Sequence, residues 1–143
     1  MTGALTIARH LAQLQVYVAQ LRELQQHSRA DLDQDWRIRA TVDRTLQLAI
    51  EVVISVCDQL IAGLSLPLPD SGHDAVLTVA RAGVISDDPG ARLARMVGFR
   101  NILVHQSMSI DYDRVYEVLQ HERSAFEQFL SQVGAFLDAQ NLP

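Results

Sequence analysis

The sequence predicts an all-α fold, an up-down bundle of about five helices. Apolar residues recur at spacings of three and four in several segments, which is the repeat of an amphipathic helix. Only 7 glycines and 4 prolines occur among 143 residues, which suits few turns and long regular elements. No segment alternates apolar and polar residues with the period of two that marks a strand. Residues 1–143 are therefore expected to form a single helical domain.

The first two predicted helices supply the apolar centre of the bundle. The first spans about residues 6–27 and carries a narrow apolar stripe of the kind that packs in an antiparallel bundle. Residues 28–34 are polar and are predicted to form a turn. The second helix spans about residues 35–60, and Gly63 supplies a stop signal after it. Because the second helix is apolar on most sides, it should be central. The stripe of the first helix consists of Ile7, Leu11, Leu14, Val18 and Leu21.

Three further helices complete the predicted bundle. A loop at residues 65–72 leads into a short helix over about residues 73–81. Ser86-Asp87-Asp88-Pro89 is a strong start signal, because an acidic cap precedes a proline at the first helical position. The fourth helix runs from there to about residue 105, and the fifth spans about residues 111–139. Tyr17 and Trp36 are expected to be packing residues.

Composition restricts the classes of function. The formal net charge is −5, which argues against broad, sequence-independent coating of nucleic acid but allows a local phosphate site. The single cysteine, Cys57, excludes an intrachain disulfide, and no Cys/His cluster suggests zinc, so neither a metal nor a cofactor is expected. No signal peptide is apparent, and Glu51 and Asp58 interrupt the most apolar stretch. A cytoplasmic protein with no membrane span is expected.

The most informative residue is Arg100, a permanent cation in the apolar stripe of the fourth helix. A guanidinium in such a position is costly unless it is paired or used. Glu51 on the second helix is its expected partner, in a buried ion pair that fixes register. Alternatively, the planar fork of Arg100 grips a phosphate. Polar residues fall along one stripe of the otherwise apolar second helix, namely Arg44, Glu51, Ser55 and Asp58.

Asn101 and His105, which follow Arg100 in the sequence, could take part in the same chemistry. Asn101 lies one turn before His105, where it orients the imidazole or binds substrate; a hydrogen bond to a neighbouring helix end is the alternative. His105 can transfer protons near neutral pH, or simply occupy a favourable helix C-terminus. Positions 100 and 105 differ by about 140° around an ideal helix. Either the helix loosens near Val104, the long arginine curls round, or a second subunit completes the site.

These motifs resemble the HepT toxins of the HEPN superfamily. The resemblance lies in Gly98-Phe99-Arg100-Asn101-Ile102-Leu103-Val104-His105, followed by Ile110-Asp111-Tyr112 and a long helix that opens with Val115-Tyr116-Glu117-Val118-Leu119. The second helix, with Arg44, Leu46, Glu51 and Asp58, is also similar to its counterpart in that family. The resemblance covers most of the chain, from the second helix to the end.

The resemblance implies a HEPN-like bundle that forms a homodimer and brings two Arg-x-x-x-x-His motifs into one cleft. It implies a metal-independent ribonuclease with an RNA substrate, the toxin of a type II-like or type VII toxin–antitoxin pair. The partner would be a minimal nucleotidyltransferase antitoxin. Arg100 and His105 would be catalytic, Asn101 would support them, and Glu51 would support the site as the partner of Arg100.

The chain departs from the family at one position. The family motif continues His-x-Tyr, and the antitoxin adenylylates that tyrosine, whereas Ser107 stands at this position here. Ser107 and Tyr112, five residues further on, are the candidate modification sites, and inhibition by simple binding is the alternative. A non-catalytic HEPN module that dimerises and binds the nucleotidyltransferase is the second functional hypothesis. A purely structural bundle, in which Arg100→Met is tolerated, is the third.

Overall fold

The computed structural model describes residues 3–105 and 110–140, and these ranges contain seven helices and no strand. The all-α prediction is confirmed, but the number of helices exceeds the expected five. The helices are α1 (Ala4–Leu24), α2 (Arg29–Gln34), α3 (Trp36–Leu64), α4 (Gly72–Arg81), α5 (Asp87–His105), α6 (Tyr112–His121) and α7 (Arg123–Gln140).

Helix α3 is the centre of the bundle, as its apolar sequence predicts. It contacts α1, α2, α4, α5 and α6, while α7 packs against α1, α5 and α6. By length and composition alone α3 could cross a membrane, but a core helix passes the same test, and 44% of its most apolar window is buried. The predicted stripe of α1 is also buried throughout. The buried residues of α3 are Val42, Thr45, Leu46, Ala49, Ile50, Val53, Val56, Cys57, Leu60 and Ile61.

The segment predicted as a turn after α1 is instead a short helix, α2. Ser28 caps it: its side-chain oxygen accepts a hydrogen bond from Asp31 N at 3.2 Å, and Asp31 Oδ2 accepts one from Ser28 N at 2.9 Å. This reciprocal capping satisfies amide groups at the start of the helix. Leu32 is fully buried and fixes α2 against the bundle. One buried residue and one cap are enough to stabilise this six-residue helix. The sequence did not predict it because six residues are too few to show the apolar repeat of a helix.

The predicted fifth helix is two helices, because the chain leaves helical geometry at Glu122, with φ −105° and ψ 0°. Arg92 of α5 stabilises this break. Its Nη2 atom donates to the carbonyl of His121 at 2.9 Å and to Ser124 Oγ at 2.8 Å, and its Nε donates to Glu122 Oε2 at 3.2 Å. Gln25, after α1, donates to the carbonyl of Leu119 at 2.8 Å. Side chains from elsewhere in the chain thus satisfy carbonyls at the end of α6.

The two ends of α3 also differ from the prediction. The helix continues through Gly63 to Leu64, and Ser65 takes the left-handed conformation that ends it, with φ 55°. At the other end Trp36 is 67% exposed, so it is not a packing residue. The reason is helical register. At about 100° per residue, Trp36 lies in line with exposed Ala40 and Arg44, away from the stripe of buried residues.

Candidate active site on helices α3 and α5

Arg100 lies on the side of α5 that faces the core. The side chain is 25% exposed and its Nη1 atom is 3.8 Å from Glu51 Oε1 on α3, so the two residues form an ion pair that is partly exposed rather than buried as expected. Arg100 Nε is buried and has no hydrogen-bond partner among the described residues. The guanidinium is therefore held in place by Glu51, but its Nε–H donor has no hydrogen-bond acceptor among the described residues. The residues that flank it in the apolar stripe are Leu93, Met96, Val97 and Leu103, all buried.

Glu51 is a weak counterion for this cation. Its side chain is 39% exposed, and its Oε1 atom also accepts a hydrogen bond from Gln47 Nε2 at 3.3 Å. A distance of 3.8 Å exceeds that of a charge-assisted hydrogen bond. Partly exposed ion pairs of this kind contribute at most about 1 kcal/mol. Arg100 thus keeps capacity to bind a second anion.

The outer face of α5 next to Arg100 is open. Asn101 is exposed, Ile102 is 37% exposed, and no described atom lies within 4 Å of a Cβ built on Gly98. An exposed glycine and an exposed isoleucine on one helix face leave room for a close helix neighbour. Asn101 is available to solvent or a ligand, and the alternative that it bonds a neighbouring helix end is not observed among the described residues.

His105 is the last residue of α5, and its side chain lies outside the described part of the structure, as does the whole of Ser107. The backbone of α5 stays α-helical through Val104 to His105. The alternative in which the helix loosens near Val104 is therefore wrong. Positions 100 and 105 remain about 140° apart around the helix axis.

Tyr112, the other candidate modification site, lies at the start of α6 and is anchored to α3. Its Oη atom donates to Asp43 Oδ2 at 2.6 Å, and the guanidinium of Arg39 lies 5.7 Å from the centre of its ring. Burial raises the pKa of the Tyr112 hydroxyl, and the hydrogen bond to Asp43 and the negative charge of Asp43 raise it further. The hydroxyl is therefore a neutral donor in the folded protein.

Asp43 is the residue of this region that the sequence did not single out. Burial raises the pKa of its carboxyl group, although the hydrogen bond from Tyr112 and the charge of Arg39 oppose this effect. Its Oδ1 atom is buried and lacks a partner among the described residues. The sequence feature that could have pointed to Asp43 is the presence of a carboxylate within the apolar second helix. Asp43 and Glu51 are eight residues apart, so the contacts of Tyr112 and Arg100 with α3 are separated by about 12 Å along its axis.

Metal ligation is not a feature of the described residues, which contain no group of three or more His, Cys, Asp or Glu side chains that could hold an ion. Cys57 is buried, and burial raises the pKa of its thiol, so this residue is an unreactive part of the core. The groups available for chemistry in this part of the fold are thus a cation, an amide and a carboxylate.

Comparisons with known proteins show the family to which this chain belongs. A model of the family described as ribonuclease HepT-like matches residues 14–133. The mRNA nuclease HepT of Shewanella oneidensis is 31% identical over 102 residues, which is 71% of this chain and 77% of that protein. The tri-AMPylated HEPN toxin of Shewanella oneidensis, solved in complex with its MNT antitoxin, has a TM-score of 0.82 and 26% identity, covering 90% of this chain and 96% of that one.

A crystal structure of a toxin–antitoxin with AMP-PNP is equally similar. It has a TM-score of 0.83 and 26% identity, and covers 90% of this chain and 97% of the matched chain. The family match extends from the middle of α1 into α7, so it includes both helices that hold Arg100 and Glu51. This chain belongs to the HepT-like family of HEPN proteins.

Proposed function

We propose that this protein is the toxin of a toxin–antitoxin pair and cleaves RNA without a metal ion, in a cleft shared by two protomers. The observation that carries the proposal is the state of Arg100, a cation held in the fold by a counterion 3.8 Å away and with a buried Nε that no described residue satisfies. A phosphate would supply the missing acceptors in the bidentate geometry that arginine favours.

The chemistry assigned to these residues is transesterification at phosphorus. His105 accepts the proton of the ribose 2′-hydroxyl, and a bond forms between the 2′-oxygen and phosphorus. Arg100 stabilises the charge that develops on the phosphoryl oxygens. The bond from phosphorus to the 5′-oxygen breaks, and a protonated histidine returns a proton to that oxygen. The products are a 2′,3′-cyclic phosphate and a 5′-hydroxyl. Asn101 supports the imidazole or the substrate, and Glu51 orients Arg100.

A shared cleft follows from the divergence of positions 100 and 105 around α5. One protomer alone directs these two positions about 140° apart, whereas two copies packed through the open face of α5 would place an arginine opposite a histidine. Exposed Gly98 and Ile102 provide the small and apolar surface that such packing requires. A homodimer is therefore part of the proposal.

The proposed partner is an MNT-type nucleotidyltransferase antitoxin, because the similar Shewanella oneidensis toxin forms a complex with one. AMP transfer to Ser107 or Tyr112 would silence this toxin. At Tyr112, Oη would attack the α-phosphorus of ATP, pyrophosphate would leave, and Asp43 would accept the phenolic proton across their 2.6 Å hydrogen bond. Both proteins would act in the cytoplasm, where messenger RNA and ATP are available.

The decisive experiment is RNA cleavage by the purified protein in the presence of EDTA. We expect cleavage to yield cyclic phosphate ends, to stop in His105→Ala and to fail on an RNA with a 2′-deoxy residue at the cut. His73→Ala is the matched control, since His73 is an exposed histidine on α4, outside the proposed site. Equal cleavage by His105→Ala and the wild type would refute the assignment of His105.

A non-catalytic HEPN module that dimerises and binds the nucleotidyltransferase is the second candidate. The net charge of −5 and the presence of Ser107 in place of the family tyrosine favour it. Under this alternative the wild-type protein would form a stable complex with the antitoxin but would leave RNA intact in the same assay, with or without added metal ions.

A further inference from the structure

One side of α3 forms a continuous surface that leads away from Arg100. The residues on it are separated by four, four, three and four positions, so they lie along one line of the helix. Each is exposed or partly exposed, and the last of them pairs with Arg100. We call this surface the α3 track; it consists of Trp36, Ala40, Arg44, Gln47 and Glu51.

Trp36 begins the track with an unusual exposure for the largest apolar side chain. It is the single tryptophan of the chain and is 67% exposed, although the core of the bundle would otherwise be its favoured environment. Ala40, one turn later, is too small to shield the indole ring. An uncovered indole offers a flat surface on which a nucleobase of any type can stack.

Arg44 gives the track its charge. It is exposed and forms no salt bridge with any residue in the described ranges, whereas nearby Arg37 pairs with Asp35 at 3.3 Å. In the opposite direction along α3, two turns beyond Glu51, lies exposed Asp58. A phosphate chain bound at Arg100 is therefore attracted toward Arg44 and repelled from Asp58. This asymmetry gives the track a direction, from Arg100 toward Trp36.

We propose that the α3 track binds the stretch of single-stranded RNA that flanks the cleaved phosphate, with Arg44 on a backbone phosphate and Trp36 stacked on a base. Trp36 and Glu51 are fifteen residues apart, so the track is about 22 Å long. This length accommodates about six stacked nucleotides at 3.4 Å each. The inference deepens the proposed function, on which it rests, because the RNA would reach Arg100 from this side.

The charge pattern favours RNA over a protein as the occupant. The track has one large apolar residue, followed by an alanine, a cation and an amide, and its acid lies 3.8 Å from the guanidinium of Arg100. A protein partner would need a more continuous apolar centre to form a stable interface. Single-stranded RNA would use both groups that the track offers, because its phosphates would bind the cation and its bases would stack on the aromatic ring.

The experiment uses the full-length His105→Ala protein, so that RNA is bound without being cut. Trp36 emission is recorded during titration with a single-stranded RNA of about eight nucleotides, longer than the track, and with a dinucleotide. We expect the longer RNA to quench the emission and the dinucleotide to have little effect. The affinity of fluorescein-labelled RNA is then measured by anisotropy for Trp36→Ala and Arg44→Ala in the same background, as a function of salt.

Trp36→Ala should weaken RNA binding by about tenfold, the effect of losing one stacked base. Arg44→Ala should weaken it and reduce the slope of log affinity against log salt by about 0.7, the value for one phosphate contact with a single strand. The matched controls are Leu68→Ala, an exposed apolar residue on the α3–α4 loop, and Arg9→Ala, an exposed arginine on α1. Each control should change affinity by less than about twofold.

RNA affinity that is unchanged in both Trp36→Ala and Arg44→Ala would overturn the inference. Loss of antitoxin binding in Trp36→Ala with normal RNA binding would also overturn it and assign the surface to the partner protein. The proposed function fails separately: if the wild-type protein binds RNA through Trp36 and Arg44 but cuts none, the track stands and the ribonuclease assignment does not.

Discussion

The hydroxyl of Tyr112 donates a hydrogen bond of 2.6 Å to Asp43 Oδ2, and this contact joins the first turn of α6 to the N-terminal half of α3. The two residues are 69 positions apart in the chain. Because Tyr112 follows the segment that links α5 to α6, the contact fixes the point at which the chain re-enters the bundle after His105. The stability of this junction can be measured directly.

Removal of the Tyr112 hydroxyl should destabilise the protein more than neutralisation of its acceptor. Tyr112→Phe leaves the partly buried Asp43 carboxylate without its donor, which costs about 1–3 kcal/mol in the free energy of unfolding. Asp43→Asn keeps an acceptor for the hydroxyl and removes a buried charge, so it should cost less. Urea denaturation of both variants gives the comparison, and a larger loss in Asp43→Asn would contradict it.

The same pair predicts a pH dependence of stability. Burial raises the pKa of folded Asp43 above its ordinary value of 3.8, so the folded chain holds this proton more tightly than the unfolded chain. The Asp43 contribution to stability is therefore present below about pH 4 and is lost as the pH rises through the folded pKa. Asp43→Asn lacks this contribution. Its unfolding free energy, relative to the wild type, should increase as pH rises from 4 toward neutrality, and a constant difference would exclude the effect.

Arg100 should matter far more for activity than for stability. Loss of a cation that stabilises developing negative charge typically lowers turnover by about 100- to 1,000-fold, and we expect this for Arg100→Met. The free energy of unfolding should change by about 1 kcal/mol or less, because the ion pair with Glu51 is partly exposed and 3.8 Å long. Arg100→Lys is the control: it restores charge without the planar fork and should recover activity only partly. Full activity in Arg100→Met would refute the catalytic assignment of Arg100.

Mixing two inactive variants tests whether two protomers share the site. In a dimer of one Arg100→Met subunit and one His105→Ala subunit, the intact arginine and the intact histidine belong to different chains. If each site combines both chains, one of the two sites is complete and RNA cleavage returns on mixing. If each chain carries its own complete site, the mixture stays inactive. Co-expression with two affinity tags isolates the mixed dimer for this measurement.

Arg92 should be among the most important residues for stability outside the apolar core. It is 17% exposed and joins α5 to the break between α6 and α7 through His121, Glu122 and Ser124. Arg92→Met should lower the free energy of unfolding by about 2–4 kcal/mol, because it leaves the partly buried Glu122 without its cation. Arg81→Met, at the exposed end of α4, is the matched control and should have little effect. Equal stability of the two variants would show that the break needs no support from α5.

Arg100 and Glu51 of the candidate site could be predicted because each stands out within its own helix. Arg100 is conspicuous because it interrupts an apolar stripe, and Glu51 because it interrupts another, so their juxtaposition follows from the packing of α5 on α3. Asp43 could not be assigned in the same way. Its role depends on Tyr112, and no spacing within α3 indicates which of its polar residues meets a side chain from α6.

The sequence by itself determined the helical class, the buried stripe of α1 and the central place of α3, and it marked Arg100 and Glu51 as charged interruptions of apolar stripes. Each of these depends on a repeat of about 3.6 residues, which can be recognised within a single long helical segment. Only the tertiary structure decided that the last helix breaks at Glu122, that residues 29–34 are helical and that Trp36 faces outward. The break depends on hydrogen bonds from Arg92 and Gln25, 29 and 94 positions from their acceptors. Such contacts exist only once distant helices are packed together.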